Sequence, residues 1–348
     1  MTRHAVVLFN LGGPDSPEAV KGFLTNLFSD PAIIRLPWPL RPLLARYIAG
    51  RRTPVAQNIY AELGGRSPLL PETRKQAAAL DQALAEPGHT WRSFVVMRYW
   101  HPFADEVVCE VAAWKPDRIV LLPLYPQFSS TTTQSSLADW HRAAGKIGLQ
   151  VPTSALCCYP DEPGFVGGYA ALLRKAVAEA RVSAGGQAPR ILFSAHGLPK
   201  RIVTQGGDPY AGQVERGAEA IAVAAGLPLG SWRVCYQSRV GRLEWLGPYA
   251  EAEIRQAGAD RVPLVVLPIA FVSEHSETLV ELDRDYARLA RESGVPVYVR
   301  VPALGEHPAF ITGLAGLARS ALSRTGARPC SLTGGRLCPT DRHACPAA

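Results

Sequence analysis

His196, His275 and Glu277 are the side chains best suited to chemistry in this sequence. His196 ends the apolar run RILFSAH and is followed by Gly197 and Pro199, which stop a helix from forming and leave the imidazole at a strand end. His275 and Glu277 follow a second apolar run, and Glu277, Glu281 and Asp285 succeed one another four residues apart, on one stripe of a helix. Like charges so placed destabilise a helix by roughly a few tenths of a kcal/mol per pair. A carboxylate row that begins where strands end therefore suits passage of a hard or borderline cation, or relay of protons. The plain alternatives are a solvated acidic face for the row and a structural role for a lone histidine. The second weakens once two such sites share one end of the fold.

The elements that must hold these residues alternate between short β-rich apolar runs and longer Ala- and Leu-rich stretches of helical period. That is the pattern of βαβ units and a parallel sheet. Strands are expected at 5–11, 94–99, 119–124 and 151–156 in the first half, and at 190–195, 232–236, 262–270 and 295–301 in the second. IVLLPLYPQFSSTTTQSS and LVVLPIAFVSEHSETL each give an apolar strand interrupted by Leu-Pro and a polar loop opening a helix, which suggests duplication. Ligands of open parallel sheets bind beyond the carboxyl ends of the strands. MRYWHP, YPQFSSTTTQSS, SAHGLPK, YQSRVGRLEWLGP and SEHSETL all fall at such ends, so one cleft between the halves is expected. The domains are set at 1–165 and 166–324. After Arg324 the pattern decays into Gly, Pro, Thr and Cys, a tail over 325–348 with no helix or strand of its own.

Composition narrows the partners. With 47% hydrophobic residues in 348, the chain can bury a sizeable core. Its formal charge of +7 comes from scattered Lys and Arg, with no dense basic run or stacking-aromatic module. The excess therefore favours an anionic substrate or a membrane surface over nucleic acid. No G-x-G-x-x-G follows the first strand and no Walker motif occurs, so no nucleotide is expected. MTRHAVVLFNLGG is too short for a signal h-region and reads as a first strand, and no run approaches the roughly 20 apolar residues of a membrane span. A cytoplasmic protein that touches a membrane peripherally is expected. The segment 35–54 interleaves Trp38, Leu40, Leu43, Leu44, Tyr47 and Ile48 with Arg35, Arg41, Arg46, Arg51 and Arg52, and no acid lies between Asp30 and Glu62. Three prolines in its first half argue against a regular helix. Such a lip suits anionic lipid and a flat apolar substrate that carries carboxylates.

LFNLGGP, RRTP, GGRSPL, MRYWHP, LPLYPQFSSTTTQS, FSAHGLP, GDPY, QSRVG, WLGP and PIAFVSEHSETLVELD occur in that order. With them the chain resembles the bacterial ferrochelatases, lyases that insert ferrous iron into protoporphyrin IX in the last step of haem synthesis. The resemblance runs to about Arg324. It implies an α/β chelatase fold: two similar Rossmann-like domains, each a parallel sheet flanked by helices, with the active-site cleft between them. It implies His196 as proton acceptor, His275 and Glu277 handling metal or protons, His196 and Glu277 meeting the substrate iron, and Glu281 and Asp285 as an acid path. The porphyrin site would take Arg98, Tyr99, Tyr125 and Trp245, with Ser67 from GGRSPL. Leu11, where other members carry methionine or tyrosine, would lie against the macrocycle, and Arg51 and Arg52 near its propionates. The lip would rest on the inner face of the cytoplasmic membrane, and a homodimer stays open.

The tail cysteines Cys330, Cys338 and Cys345 have seven and then six residues between them, which matches no zinc ribbon or ferredoxin signature. Seven cysteines, an odd number in a reducing compartment, argue against a disulfide framework. Some ferrochelatases hold a [2Fe-2S] cluster with three tail cysteines and one from the body, which here implies Cys158 or its neighbour Cys157. In a regular strand Cys157 would point away from Cys158, and Cys109 and Cys235 read as buried small hydrophobes. Surface thiols on a disordered tail are the alternative. Rival functions are a coproporphyrin ferrochelatase, a chelatase loading cobalt or nickel into another tetrapyrrole, and a non-catalytic tetrapyrrole carrier. The apolar lip favours a porphyrin with few carboxylates, and a carrier needs no acid row leading inward.

Overall fold

The computed structural model describes residues 1–38, 40–241, 243–323 and 329–347. The expected domain end at Arg324 and the start of the tail at Thr325 lie outside the described residues. In chain order the strands are β1 (Thr2–Asn10), β2 (His89–Met97), β3 (Arg118–Pro123), β4 (Thr153–Cys158), β5 (Arg190–His196), β6 (Trp232–Gln237), β7 (Leu264–Pro268), β8 (Tyr298–Arg300) and β9 (Cys330–Ser331). They build two sheets, ordered β2-β1-β3-β4-β9 and β6-β5-β7-β8. Every pairing within them is parallel. All the expected strands are present, with ends moved by a few residues. β3 and β7, whose sequences echo one another, hold the same place in their sheets.

The central strands read as continuous apolar runs because they are covered on both faces. Ala5 to Phe9 of β1 and Leu264 to Leu267 of β7 are all within 1% of complete burial. Phe94, Val107, Leu121 and Trp140 pack round β1, while Ile254, Leu282 and Tyr286 pack beside β7. Contacts divide the chain into two compact units. One is Met1–Cys158 with Leu314–Leu337 and Pro346–Ala348, the other Tyr159–Gly313 with Cys338–Cys345.

Four local expectations are corrected. The lip does contain a helix, Leu40–Ala61, which runs on through Pro54. Pro42 falls in its first turn, where a backbone N–H has no intrahelical partner to lose, so the ring is tolerated there. The tail does form a strand. β9 adds to the sheet edge beside β4, with Leu156 opposite Cys330 and Cys158 opposite Ser331. The register shifts between Leu156 and Cys158, so strict alternation fails: Cys157 and Cys158 are both buried in one cluster with Phe128, their sulfurs 3.3 Å apart. Cys109 is exposed rather than buried, on the outer side of the helix Ala104–Trp114, whereas Cys235 is buried in β6 as expected. Among the described residues no helix is long and apolar enough to cross a membrane.

Candidate active site

In the sheet of the second unit the chain runs from β5 to β6 on one side and then crosses to β7 on the other. The loops after β5 and β7 therefore diverge and open a crevice, the switch point at which α/β sheets bind ligands. His196 ends β5 there, and the polar segment after β7 supplies His275 and Glu277. Gly197 is needed behind the histidine. A Cβ on it would stand 2.8 Å from Gln237 O and 3.2 Å from the Trp245 ring, so Trp245 is brought to the side of His196.

His196 Nδ1 lies 2.7 Å from Glu277 Oε2. The remaining polar atoms of the pair, His196 Nε2 and Glu277 Oε1, carry no hydrogen bond from the described residues. Ser238 Oγ lies 3.0 Å from Glu277 Oε2 and 2.5 Å from Glu281 Oε2, and the Ser238 backbone N–H donates to Glu281 Oε1 at 2.9 Å. Gln237 adds an N–H to Glu281 Oε2 at 3.2 Å and is itself held by the Ser194 hydroxyl at 2.6 Å. Tyr210 supports His196 from behind, donating its hydroxyl to the histidine carbonyl at 3.0 Å.

Charge follows this geometry. Burial pulls the His196 pKa down, but the Glu277 carboxylate, by its charge and its hydrogen bond, outweighs that and raises it above the ordinary 6.5. Glu277 is opposed by burial too, yet His196 beside it, with help from Ser238, holds it down at about 2. Its place in the first turn of a helix favours the same ionised form. Burial and the neighbouring Glu277 charge push Glu281 up. The two acids of one row are thus driven apart.

His275 is engaged differently from His196. Its Nδ1 accepts the Glu277 backbone N–H at 2.9 Å, while its own backbone N–H donates to Thr278 Oγ1 at 3.0 Å. This is a reciprocal cap at the start of the helix. Its ring packs edge-on against Phe271, and burial lowers its pKa, partly offset by Glu277 and Glu274. The imidazole is neutral with its proton on Nε2, and it fixes the backbone that carries Glu277.

The acid row is changed at its outer end. Glu277–Tyr286 is a π-helix, whose hydrogen bonds span five residues, so neighbours on one face recur at four and five positions rather than three and four. Glu281 keeps its place behind Glu277, but the next place goes to Tyr286, whose hydroxyl donates to Glu281 Oε1 at 3.1 Å. Asp285 turns to solvent and pairs with Arg288 at 3.1 Å. It does not continue the row.

In the first unit, Arg98 and Tyr99 converge on a residue the sequence reading passed over. Asp30, 2% exposed, accepts Arg98 Nη2 and Tyr99 Oη, each at 2.8 Å, and the Ser135 hydroxyl. Tyr99 is wholly buried, and Arg98 also meets Ser135 at 2.7 Å. A buried aspartate amid such donors marks a structural anchor for the MRYWHP loop, and the only sequence signal was a lone acid before a proline. Leu11 packs among Val20, Phe23, Tyr60 and Tyr99 and lends its carbonyl to the Tyr99 N–H. Ser67 is buried under Gly13, where a Cβ would stand 2.5 Å from its hydroxyl. Tyr125 lays its ring on the core beside β3. Arg51 and Arg52 lie on the helix Leu40–Ala61, with Arg51 reaching Tyr47 Oη at 3.4 Å. Along this segment Trp38 is 76% exposed, and Leu40, Leu43 and Tyr47 are exposed with it.

The tail thiols are not on a loose surface segment. Cys338 and Cys345 are buried, Cys330 is half-buried beside β4, and Leu337 and Ala347 pack on Cys157 and Cys158. Gln213 donates an N–H to Cys338 Sγ at 3.1 Å. Among the described residues no group of three or more His, Cys, Asp or Glu side chains converges on a metal site. Cys158 and Cys330 lie in the first unit, and Cys338 and Cys345 in the second.

Two parallel sheets flanked by helices, with a hydrogen-bonded histidine and carboxylate at a switch point, define an α/β protein of the chelatase class. The fold is similar to that of "SirB from Bacillus subtilis with Fe3+", at a TM-score of 0.51 with 12% identity over 92% of this chain and 96% of that one. The ferrochelatase family model matches residues 3–322. A ferrochelatase of Phenylobacterium zucineum (strain HLK1) is 54% identical over 98% of this chain and 97% of its own length, and one of Caulobacter vibrioides (strain NA1000 / CB15N) is 51% identical over 98% and 96%. The chain belongs to the ferrochelatase family.

Proposed function

We propose that this protein inserts ferrous iron into protoporphyrin IX to give protohaem, and that His196 Nε2 and Glu277 Oε1 are the protein atoms that act in the step. The observation that carries this is the His196–Glu277 pair, each partner of which is tied through one atom and open through the other. Insertion replaces two inner N–H protons of the macrocycle by one Fe²⁺, so the protein must take up two protons and lend the ion donors until the ring nitrogens hold it. When His196 Nδ1 donates to Glu277, neutral His196 has a bare Nε2 able to accept the first proton. Glu277 Oε1 is a hard oxygen for the ion or for the second proton. Two donors hold a ferrous ion weakly enough to release it. A macrocycle bound in a bent form exposes its nitrogen lone pairs, so binding energy is spent on the distorted state.

The finer assignments rest on the same residues. Arg98, Tyr99, Leu11, Ser67, Tyr125, Trp245 and the Arg51–Arg52 pair are proposed to shape and border the porphyrin site, Arg98 and Tyr99 acting through the anchor on Asp30. The exposed apolar and arginine side chains of 35–54 are proposed to rest on anionic lipid at the inner face of the cytoplasmic membrane. Cys158, Cys330, Cys338 and Cys345 are the thiolates that would hold a [2Fe-2S] cluster. When bound, it would supply a one-electron couple and a cross-link pinning the tail. The deciding experiment is anaerobic insertion of Fe²⁺ into protoporphyrin IX by wild type and His196→Ala, with porphyrin binding followed by fluorescence. The variant should bind porphyrin and insert no iron, and wild-type turnover by it would sink the assignment.

A further inference from the structure

Ser238 stands at the turn after β6 with a φ of +63°, in the left-handed region that a residue with a Cβ seldom adopts. Such strain persists where the surroundings impose it, and here the surroundings are two carboxylates. The turned backbone aims its N–H at Glu281 Oε1, at 2.9 Å, and sets the hydroxyl between Glu281 Oε2 and Glu277 Oε2, at 2.5 and 3.0 Å. The hydroxyl has one proton to give, so the two carboxylates share it, and Glu277 Oε2 is held by His196 Nδ1 on one side and by this shared hydroxyl on the other. Its carboxylate plane is fixed, and Oε1 is the oxygen turned free.

We propose that Ser238 is a positioning residue for metal insertion: its strained backbone and bridging hydroxyl clamp Glu277 and Glu281 so that Glu277 Oε1 is presented to the incoming ion. This rests on the ferrochelatase reading of the site. Ser238 acts through Glu277, so its removal affects the metal side of the reaction and leaves the porphyrin side alone.

Ser238→Gly separates the hydroxyl from the backbone, because glycine adopts the left-handed region freely and keeps the N–H to Glu281. The variant should stay folded, because relief of the positive φ offsets part of the lost hydrogen bond. Its kcat/KM for metal should fall by roughly tenfold, the loss of one hydrogen bond to a charged acceptor, with porphyrin affinity unchanged. Ser238→Ala should show the same metal defect. Ser238→Asn also tolerates the left-handed region and has two N–H donors for the two carboxylates, so it should recover most of the loss. Independently of turnover, a calorimetric titration of porphyrin-free protein with Zn²⁺ should show the binding event abolished by Glu277→Gln weakened by a similar factor in Ser238→Gly. Wild-type metal kinetics and zinc affinity in Ser238→Gly would overturn the clamp, as would a porphyrin defect without a metal one. A wild type that inserts no metal would overturn the functional reading, and the zinc titration would still decide the clamp.

Discussion

Replacing Glu277 by glutamine changes one atom and removes the charge that organises the site. Glutamine can still accept from His196 Nδ1 and Ser238 Oγ through its carbonyl oxygen, so the variant should fold, but the open Oε1 acceptor becomes an N–H donor. Two unit charges about 4 Å apart attract by about 1 kcal/mol in water and about 4 kcal/mol at an effective dielectric of 20. His196 keeps 39% of its side chain accessible and Glu277 25%, so solvent screens the 2.7 Å contact and the lower part of that range applies. A loss of roughly 1–2 kcal/mol is expected, lowering Tm by roughly 1–3 °C for a chain of 348 residues. The kinetic loss is larger, because an acceptor for metal or proton is gone: kcat should fall by roughly 10²–10³-fold. The pH profile of the residual activity reads the cause. Wild-type His196 must lose its proton before it can accept another, and Glu277 holds its pKa above 6.5, so the acid limb lies above that value. Without the carboxylate, burial is the larger influence and the limb moves to lower pH. Initial rates of Zn²⁺ insertion across pH, followed by porphyrin fluorescence, give both quantities. A reduced rate with an unmoved acid limb would refute the assignment of His196 as the acceptor governed by Glu277.

Asp285→Asn should change kcat by less than about twofold, since Asp285 is a solvent-side partner of Arg288 and exposed pairs contribute little; a collapse like that of Glu277→Gln would restore it to the acid path. Replacing Trp38, Leu43 and Leu44 with serine should reduce co-sedimentation with anionic vesicles while circular dichroism stays unchanged, and unaltered sedimentation would remove the membrane role of 35–54. Anaerobically purified protein should be reddish-brown, and Cys330→Ser, Cys338→Ser or Cys345→Ser should each bleach it; colourless wild type with no iron or sulfide after reconstitution would dismiss the cluster. The stability that Glu277 lends should be greatest between about pH 4.5 and 6.5. The raised His196 pKa makes its contribution complete below 6.5 and lost as pH rises through the folded value, and the depressed Glu277 pKa makes its contribution complete above 4.5 and lost as pH falls toward about 2. Thermal melts of wild type and Glu277→Gln across pH check this, and a difference that is flat or widest outside the window would contradict it.

The parallel α/β architecture was legible in the order of amino acids alone, because strands covered on both faces must be apolar along their whole length and Ala5 to Phe9 or Leu264 to Leu267 can be read as nothing else. So was the placing of His196 and Glu277 at strand ends, since Gly197 and Pro199 end one strand and a polar run ends the other. Their meeting depends on β5 and β7 lying side by side, which no local pattern encodes. The stripe of acids was legible as far as Glu281. Beyond it a helical period had to be assumed, and the π-helix gives Asp285's place to Tyr286. Ser238, within the QSRVG motif, did not stand out because its contacts come from a positive φ and from two carboxylates far along the chain. Asp30 was missed for the same reason, as were the strand at Cys330 and the cap made by His275: a short polar segment takes its conformation from the partners that tertiary packing brings to it, and those partners are distant in sequence.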